Sequence, residues 1–231
     1  MEIGIKNVVK NILDGWFPPR CRGCGKSGEF LCKCCKKYIS ENMKVRKVAG
    51  AEYLGFRDEI LGEMIEEAKY ESVRGLLDEI AEVICRGYFK SDGQVRKVLV
   101  PMPTSRKHVR ERGIDHMDRI AREIERLSEG AVRRVRLLER AKDTVQVGAT
   151  EDVRRRQAKE AVRVDERVLG KFLKEDFKGE VILMDDVWTT GASLVEAGKM
   201  LEEAGISELQ LVAITKNRPR RKPVIRRGEI K

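Results

Sequence analysis

The 231-residue chain has no apolar run of 18 residues; its longest clean stretches are of the type Val181–Met184 and Leu211–Ile214. A bilayer-spanning helix needs roughly 20 such residues, so no transmembrane segment is expected. The N-terminal residues also lack the apolar block of a signal peptide, and the expected location is the cytoplasm. Internal repeats and low-complexity linkers are absent, which excludes a solenoid or a beaded array. Asn and Gln are scarce, at four each, beside 48 Lys+Arg and 38 Asp+Glu. Few amides among many charges is the composition of proteins that work at high temperature, and a thermophilic setting is expected. Charged residues make up 37% of the chain, yet the 41% that is hydrophobic suffices for a core, so global disorder is excluded.

The net charge of +10 is unevenly placed: +3 over residues 1–103, +6 over 104–163, −6 over 164–215 and +7 over 216–231. A solvated helix face and a frayed terminus would account for the two basic segments. Phosphate binding, on a small molecule or a nucleic acid, would account for them equally. Near the N-terminus Ile5, Val8, Val9, Ile12, Leu13 and Trp16 recur at helical spacing before Pro18 and Pro19, which predicts an amphipathic helix packed onto the body or, alternatively, lying on a membrane surface.

Five of the six cysteines fall between residues 21 and 35. Cys21-x2-Cys24 and Cys32-x2-Cys35 form two thiol pairs, the spacing that lets four sulfurs converge on one tetrahedral ion. Structural zinc is the expectation, since four protein ligands leave no position for a catalytic water. An iron–sulfur cluster is the alternative, and a disulfide framework conflicts with a cytoplasmic chain. Cys34 could replace Cys32 or Cys35. Cys85, among Ile80, Ile84 and Tyr88, reads as a buried core thiol. A segment this short needs a metal to fold.

From about residue 46 helical and strand-like segments alternate. Helices are expected at 57–70, 73–88, 114–127 and 193–204, and strands at 95–100, 132–138, 181–184 and 209–215. Apolar strands separated by helices predict an α/β fold with a doubly wound, mostly parallel sheet and helices on both faces. The expected organisation is a helix and tetra-cysteine segment over residues 1–45, an α/β domain over 46–215 and a basic tail over 216–231. The polar stretch 139–156 is too long for an idle connection and is read as disordered or as a functional lid.

The most informative run is Val181-Ile-Leu-Met-Asp185-Asp186-Val-Trp-Thr189-Thr190-Gly191-Ala192-Ser193. An apolar strand delivers two carboxylates at its C-terminal end, and a hydroxyl-rich loop then opens a helix. Hydroxyls and backbone N–H groups at a helix start make an anion cradle, and Gly191 permits close approach. Two carboxylates beside an anion would repel it unless a sugar's hydroxyls lie between, so the run describes a sugar phosphate. Taken singly, the Asp pair could be a magnesium site and the loop a plain helix cap.

Together these residues resemble the phosphoribosyl pyrophosphate (PRPP) motif of type I phosphoribosyltransferases. The resemblance implies that Asp185 and Asp186 hold the ribose hydroxyls while Thr189, Thr190, Gly191, Ala192 and Ser193 cradle the 5-phosphate. Val98-Leu-Val-Pro101-Met-Pro103-Thr104-Ser105-Arg106 looks like a strand entering the pyrophosphate loop, and Arg110-x-Arg112-Gly113 follows. Arg140-x3-Thr144-x-Gln146 and the triple Arg154–Arg156 are similar to the catalytic loop that closes over the sugar, or else the arginines are a solvated helix face. The order of segments, from the four cysteines through Lys69-Tyr70 to the PRPP motif, resembles the ComF family of competence-associated proteins, which includes GntX-like members, over roughly residues 11–215. It departs from that pattern at Ile114-Asp115-His116, where a Phe-Asn-Gln-like triplet is usual, and at Gln157, where Asn is usual.

By this resemblance Arg140, Thr144, Gln146 and Arg154 are expected to be catalytic, with Mg2+ accompanying PRPP and release of pyrophosphate, the acceptor and oligomeric state being open. Lys69 is a phosphate contact or a solvated residue, and His116 a general base or a surface histidine. A competing expectation is a non-catalytic, PRPP-sensing accessory protein that binds single-stranded nucleic acid through its tail and works with a helicase-like partner. With no aromatic residue in the tail, such binding would be salt-dependent and blind to sequence.

Overall fold

The structure, a computed structural model, describes residues 18–71, 74–89, 96–140 and 162–218. The expected N-terminal helix, the loop residues Thr144, Gln146, Arg154 and Gln157, and the tail beyond residue 218 lie outside them. A six-stranded sheet runs in the order β1 (Arg46–Val48), β2 (Ala51–Phe56), β8 (Leu209–Lys216), β7 (Glu180–Trp188), β3 (Lys97–Pro101), β4 (Val132–Arg134). All neighbours are parallel except β1, which pairs antiparallel with β2. A separate antiparallel pair joins β5 (Leu138–Arg140) to β6 (Val162–Val164).

The helices are α1 (Lys33–Glu41), α2 (Ile60–Glu71), α3 (Arg74–Gly87), α4 (Arg106–Arg112), α5 (His116–Leu127), α6 (Glu166–Lys174) and α7 (Ala192–Glu203). Side chains alternate across β7 as strand geometry requires. Ile182 and Met184 join an apolar cluster with residues of α2, α3 and α5, whereas Val181 and Leu183 join one with residues of α6 and α7. Both faces of the sheet are therefore covered, which is why its central strands lack the polar alternation of a half-exposed sheet.

Two expectations need correction. The single strand read over 132–138 is two strands in different sheets: β4 pairs with β3, and after a bend in which the Val135 N–H donates to the Leu99 carbonyl (3.0 Å), β5 turns to β6. The Asp pair does not end its strand either. β7 continues through it, with Asp185 opposite Ala213 and Trp188 opposite Lys216 on β8. On the other side the ladder with β3 stops at Pro101 opposite Met184, so the pair overhangs the end of β3.

That overhang lies where the chain reverses direction across the sheet. From β3 the chain passes through α5 to β4 on one side; from β7 it passes through α7 to β8 on the other. Helices leaving adjacent parallel strands toward opposite faces open a crevice at the strands' C-terminal ends, the usual place for a ligand in such sheets.

Among the described residues no helix is long and apolar enough to cross a membrane.

Candidate functional site

Each wall of the crevice is built locally. After β3, Pro103 is buried, Thr104 and Ser105 are half-buried, and Arg106 is exposed at the start of α4. The Ser105 hydroxyl accepts the His108 N–H (3.2 Å) and caps that helix, while Gly113, in the left-handed region (φ 69°), ends it. Asp115 caps α5 by accepting the Asp118 N–H (3.1 Å). Two capped helix starts thus fix Thr104 and His116 relative to each other.

Across the crevice, Thr189, Thr190, Ala192 and Ser193 are exposed around the start of α7. Its N-cap is Gly191 (φ 77°), which has no side chain to accept the helix's first N–H groups. The Thr190 hydroxyl is 3.4 Å from the Ala192 N–H. An uncapped helix start among hydroxyls is suited to an anion. Gly191 has a second reason to be glycine: a Cβ there would run into the indole of Trp188, itself 5% exposed. Gly191→Ala is expected to lose about 2–4 kcal/mol of stability, through strain at positive φ plus overpacking. Urea unfolding measures this, and a loss below about 1 kcal/mol would contradict the packing account.

The centre of the crevice is a polar chain linking four elements. Asp186 Oδ2 accepts from Lys69 Nζ of α2 at 2.7 Å and lies 2.9 Å from His116 Nε2 of α5. Lys69 also donates to Glu66 (3.1 Å). His116 Nδ1 lies 3.3 Å from Thr104 Oγ1, which donates to Asp115 at 2.8 Å. The Asp186 carbonyl is held by the Thr215 hydroxyl (3.1 Å) from β8. Burial alone would raise the Asp186 carboxyl, but the His116 hydrogen bond and the Lys69 charge outweigh it and hold the group below the usual carboxylate range. Its neighbour Asp185 is pushed upward, first by burial and then by the Asp186 charge. The two adjacent carboxyls therefore differ: one is an anchored anion and the other keeps its proton to higher pH.

Lys69 is thus not a solvated helix residue, its side chain being 13% exposed, and His116, 6% exposed, is not a surface histidine. Arg140, at the end of β5, donates from Nε to the Pro103 carbonyl at 2.7 Å, which joins the stem formed by β5 and β6 to the loop after β3. Of the expected site residues, Asp185, Asp186, Lys69, Thr104 and the Pro103–Arg140 contact converge here. Thr144, Gln146 and Arg154 lie outside the described residues.

The second centre lies in the N-terminal segment. The sulfurs of Cys21, Cys24, Cys32 and Cys35 all fall within 4.8 Å of one another, with Cys24 and Cys32 3.7 Å apart. Four thiolates about 2.3 Å from one zinc would stand roughly 3.8 Å apart, so the donor set fits a tetrahedral ion. Cys34 is exposed and outside the cluster. Cys32 precedes α1 and Cys35 lies in its first turn; an i,i+3 step puts both sulfurs on one side and turns Cys34 away. The turn is tight enough that a Cβ on Gly23 would come within 2.6 Å of Cys35 Sγ. Cys85 is buried, as expected, and burial pushes its thiol up.

This segment is not a loose appendage. Cys21 and Leu31 belong to the same apolar cluster as α3, with Phe30, Cys32, Cys35, Ile39 and Met43 packed against it. Arg22 pairs with Glu67 of α2, and Lys36 with Glu82 of α3 at 2.9 Å.

No protein-family model matches the chain, and no curated protein matches it.

Proposed function

We propose that the crevice binds PRPP and that the chain is a phosphoribosyltransferase-like protein resembling the ComF family. The observation that carries this reading is the convergence, at the sheet's reversal point, of an anchored Asp pair, an uncapped helix start ringed by hydroxyls, and the loop after β3. Asp185 and Asp186 are assigned to the ribose hydroxyls, Thr189–Ser193 to the 5-phosphate, and Pro103–Arg106 with Lys69 to the pyrophosphate side. Arg140, held on the Pro103 carbonyl, is placed to extend a cationic wall there. In the reaction the bond from C1 to pyrophosphate breaks with its electron pair leaving on oxygen, and an acceptor's lone pair forms the new bond at C1. Fixed donors aimed at the leaving group would supply the acceleration. Mg2+, bound with PRPP, would neutralise pyrophosphate charge.

In this proposal the tetra-cysteine centre holds structural zinc and keeps α1 docked on α3.

The test incubates the protein with PRPP, Mg2+ and pooled nucleophilic acceptors and follows pyrophosphate. Release that depends on an acceptor is the expected result. Tight PRPP binding without release from any acceptor would favour a PRPP-responsive binding protein, and absence of binding would overturn both.

A further inference from the structure

His116 is a buried ring of the crevice to which the proposed function gives no role, and its hydrogen-bond partners point to its state. Nε2 faces Asp186 Oδ2 at 2.9 Å, an oxygen that also receives Lys69 Nζ at 2.7 Å and is an acceptor. Nδ1 faces Thr104 Oγ1 at 3.3 Å. A threonine hydroxyl has one proton. The shorter contact of Thr104, 2.8 Å, is to Asp115 Oδ1, which already accepts the Asp118 N–H as helix cap. A capping carboxylate takes protons and has none to give, so the Thr104 proton goes to Asp115 and its oxygen offers only lone pairs to the ring. Both ring nitrogens therefore meet acceptors, the surroundings that suit a ring carrying hydrogen on both.

We propose that His116 is a positioning residue, an imidazolium that pins Asp186 on β7 to Thr104 after β3 and so fixes the sugar-hydroxyl carboxylate relative to the pyrophosphate loop. The protonation state stands on the geometry alone; the effect on ligand rests on the PRPP reading. A general-base role for His116 is incompatible with it, because the ring has no lone pair to offer. Asp186 Oδ2 takes both cations, and Oδ1 is assigned to accept one ligand hydroxyl. The groups that face the ring are Lys69 from α2, Asp185 and Asp186 from β7, Thr104 from the loop after β3, His108 from α4, and Asp115 at its own helix start.

The chain has only two histidines, which makes nitrogen NMR of the ligand-free protein decisive. His108 is exposed, and partial burial with the Arg112 and Lys107 charges holds it below the ordinary histidine range, so at pH 7.5 it is a neutral reference in the same spectrum. His108→Gln assigns the signals. Two protonated nitrogens on His116 are expected; a bare nitrogen would overturn the proposal.

PRPP with Mg2+ is then titrated into wild type, His116→Gln and His116→Phe by calorimetry, with thermal unfolding as the check on folding. The glutamine amide can still donate to Asp186, and its Kd is expected within about threefold of wild type; the phenylalanine ring loses both bonds, and about tenfold or more is expected to be lost. Equal binding by His116→Phe and wild type would overturn the positioning role, as would a glutamine variant no better than phenylalanine. If PRPP binds none of the three, the PRPP reading fails while the spectrum still decides the imidazolium bridge.

Discussion

Asp186→Asn is expected to weaken PRPP binding about 10- to 100-fold, the worth of one or two hydrogen bonds to a charged group, and to destabilise the fold. Asp186 is the anion shared by the Lys69 ammonium and the His116 ring, at 2.7 and 2.9 Å, with their side chains 13% and 8% exposed, and Glu66 reaches Lys69 alone. A neutral amide leaves those two cations largely buried and facing one another. Removing one partner of a buried ion pair costs roughly 3–5 kcal/mol. Asp185→Asn should behave differently. Burial and the neighbouring charge push the Asp185 carboxyl upward, so an amide resembles the neutral form that this burial favours, and stability should hold or rise slightly while affinity falls.

The sign of the pH dependence follows. Asp186, depressed in the folded state, contributes stability present above the ordinary aspartate range and lost as pH falls below it. Asp185, raised, costs stability as pH climbs from that range through its higher folded value, and Asp185→Asn removes that cost. Calorimetry with PRPP near neutral pH and urea unfolding between pH 2 and 8 check the pair. Equal stability loss from both substitutions would show that the two carboxyls are not differentiated.

Stripping the metal from the tetra-cysteine centre is expected to destabilise the whole domain rather than residues 18–45 alone. Cys21 and Leu31 are 3% and 0% exposed within the cluster that also contains Leu76, Leu77, Ile80 and Ile84 of α3, so a segment released from its ion uncovers α3. Structural zinc supplies about 10–16 kcal/mol to small zinc-dependent folds. Even a loss of about 5 kcal/mol would lower Tm by roughly 10–20 °C in a chain of this size. Cys24 and Cys34 make a matched pair for the test, since both are exposed but only Cys24 is in the cluster. Elemental analysis is expected to find one zinc per chain; Cys24→Ser should abolish it and lower Tm, and Cys34→Ser should change neither. Metal content unchanged by Cys24→Ser would remove the centre from the account.

What could be read without a structure was local. The x2 spacing of the cysteines predicts their convergence because each pair closes within one tight turn, and the apolar runs before Pro101 and Asp185 predict strands of a mostly parallel sheet because such runs must be covered on both faces. Elements that take their stability from a partner were not legible. The β1–β2 hairpin exists by pairing onto β8, and helix α6, though capped by Asp165 at 3.0 Å to the Val168 N–H, lies in a stretch whose periodicity is short and interrupted by charge.

The sequence by itself determined the chemistry available to this protein: four convergent thiols, an acid pair after an apolar strand, and hydroxyls at a helix start. Only the tertiary structure decided how that chemistry is used. It dismissed Cys34 by turning it a third of the way round α1. It extended β7 through Asp185 and Asp186. It also brought Lys69 and His116, both far from the acids in sequence, onto a single oxygen of Asp186. The physical reason is that a buried carboxylate must be neutralised by whatever cation the sheet's crossing order delivers, and that order is set by the packing of the whole chain.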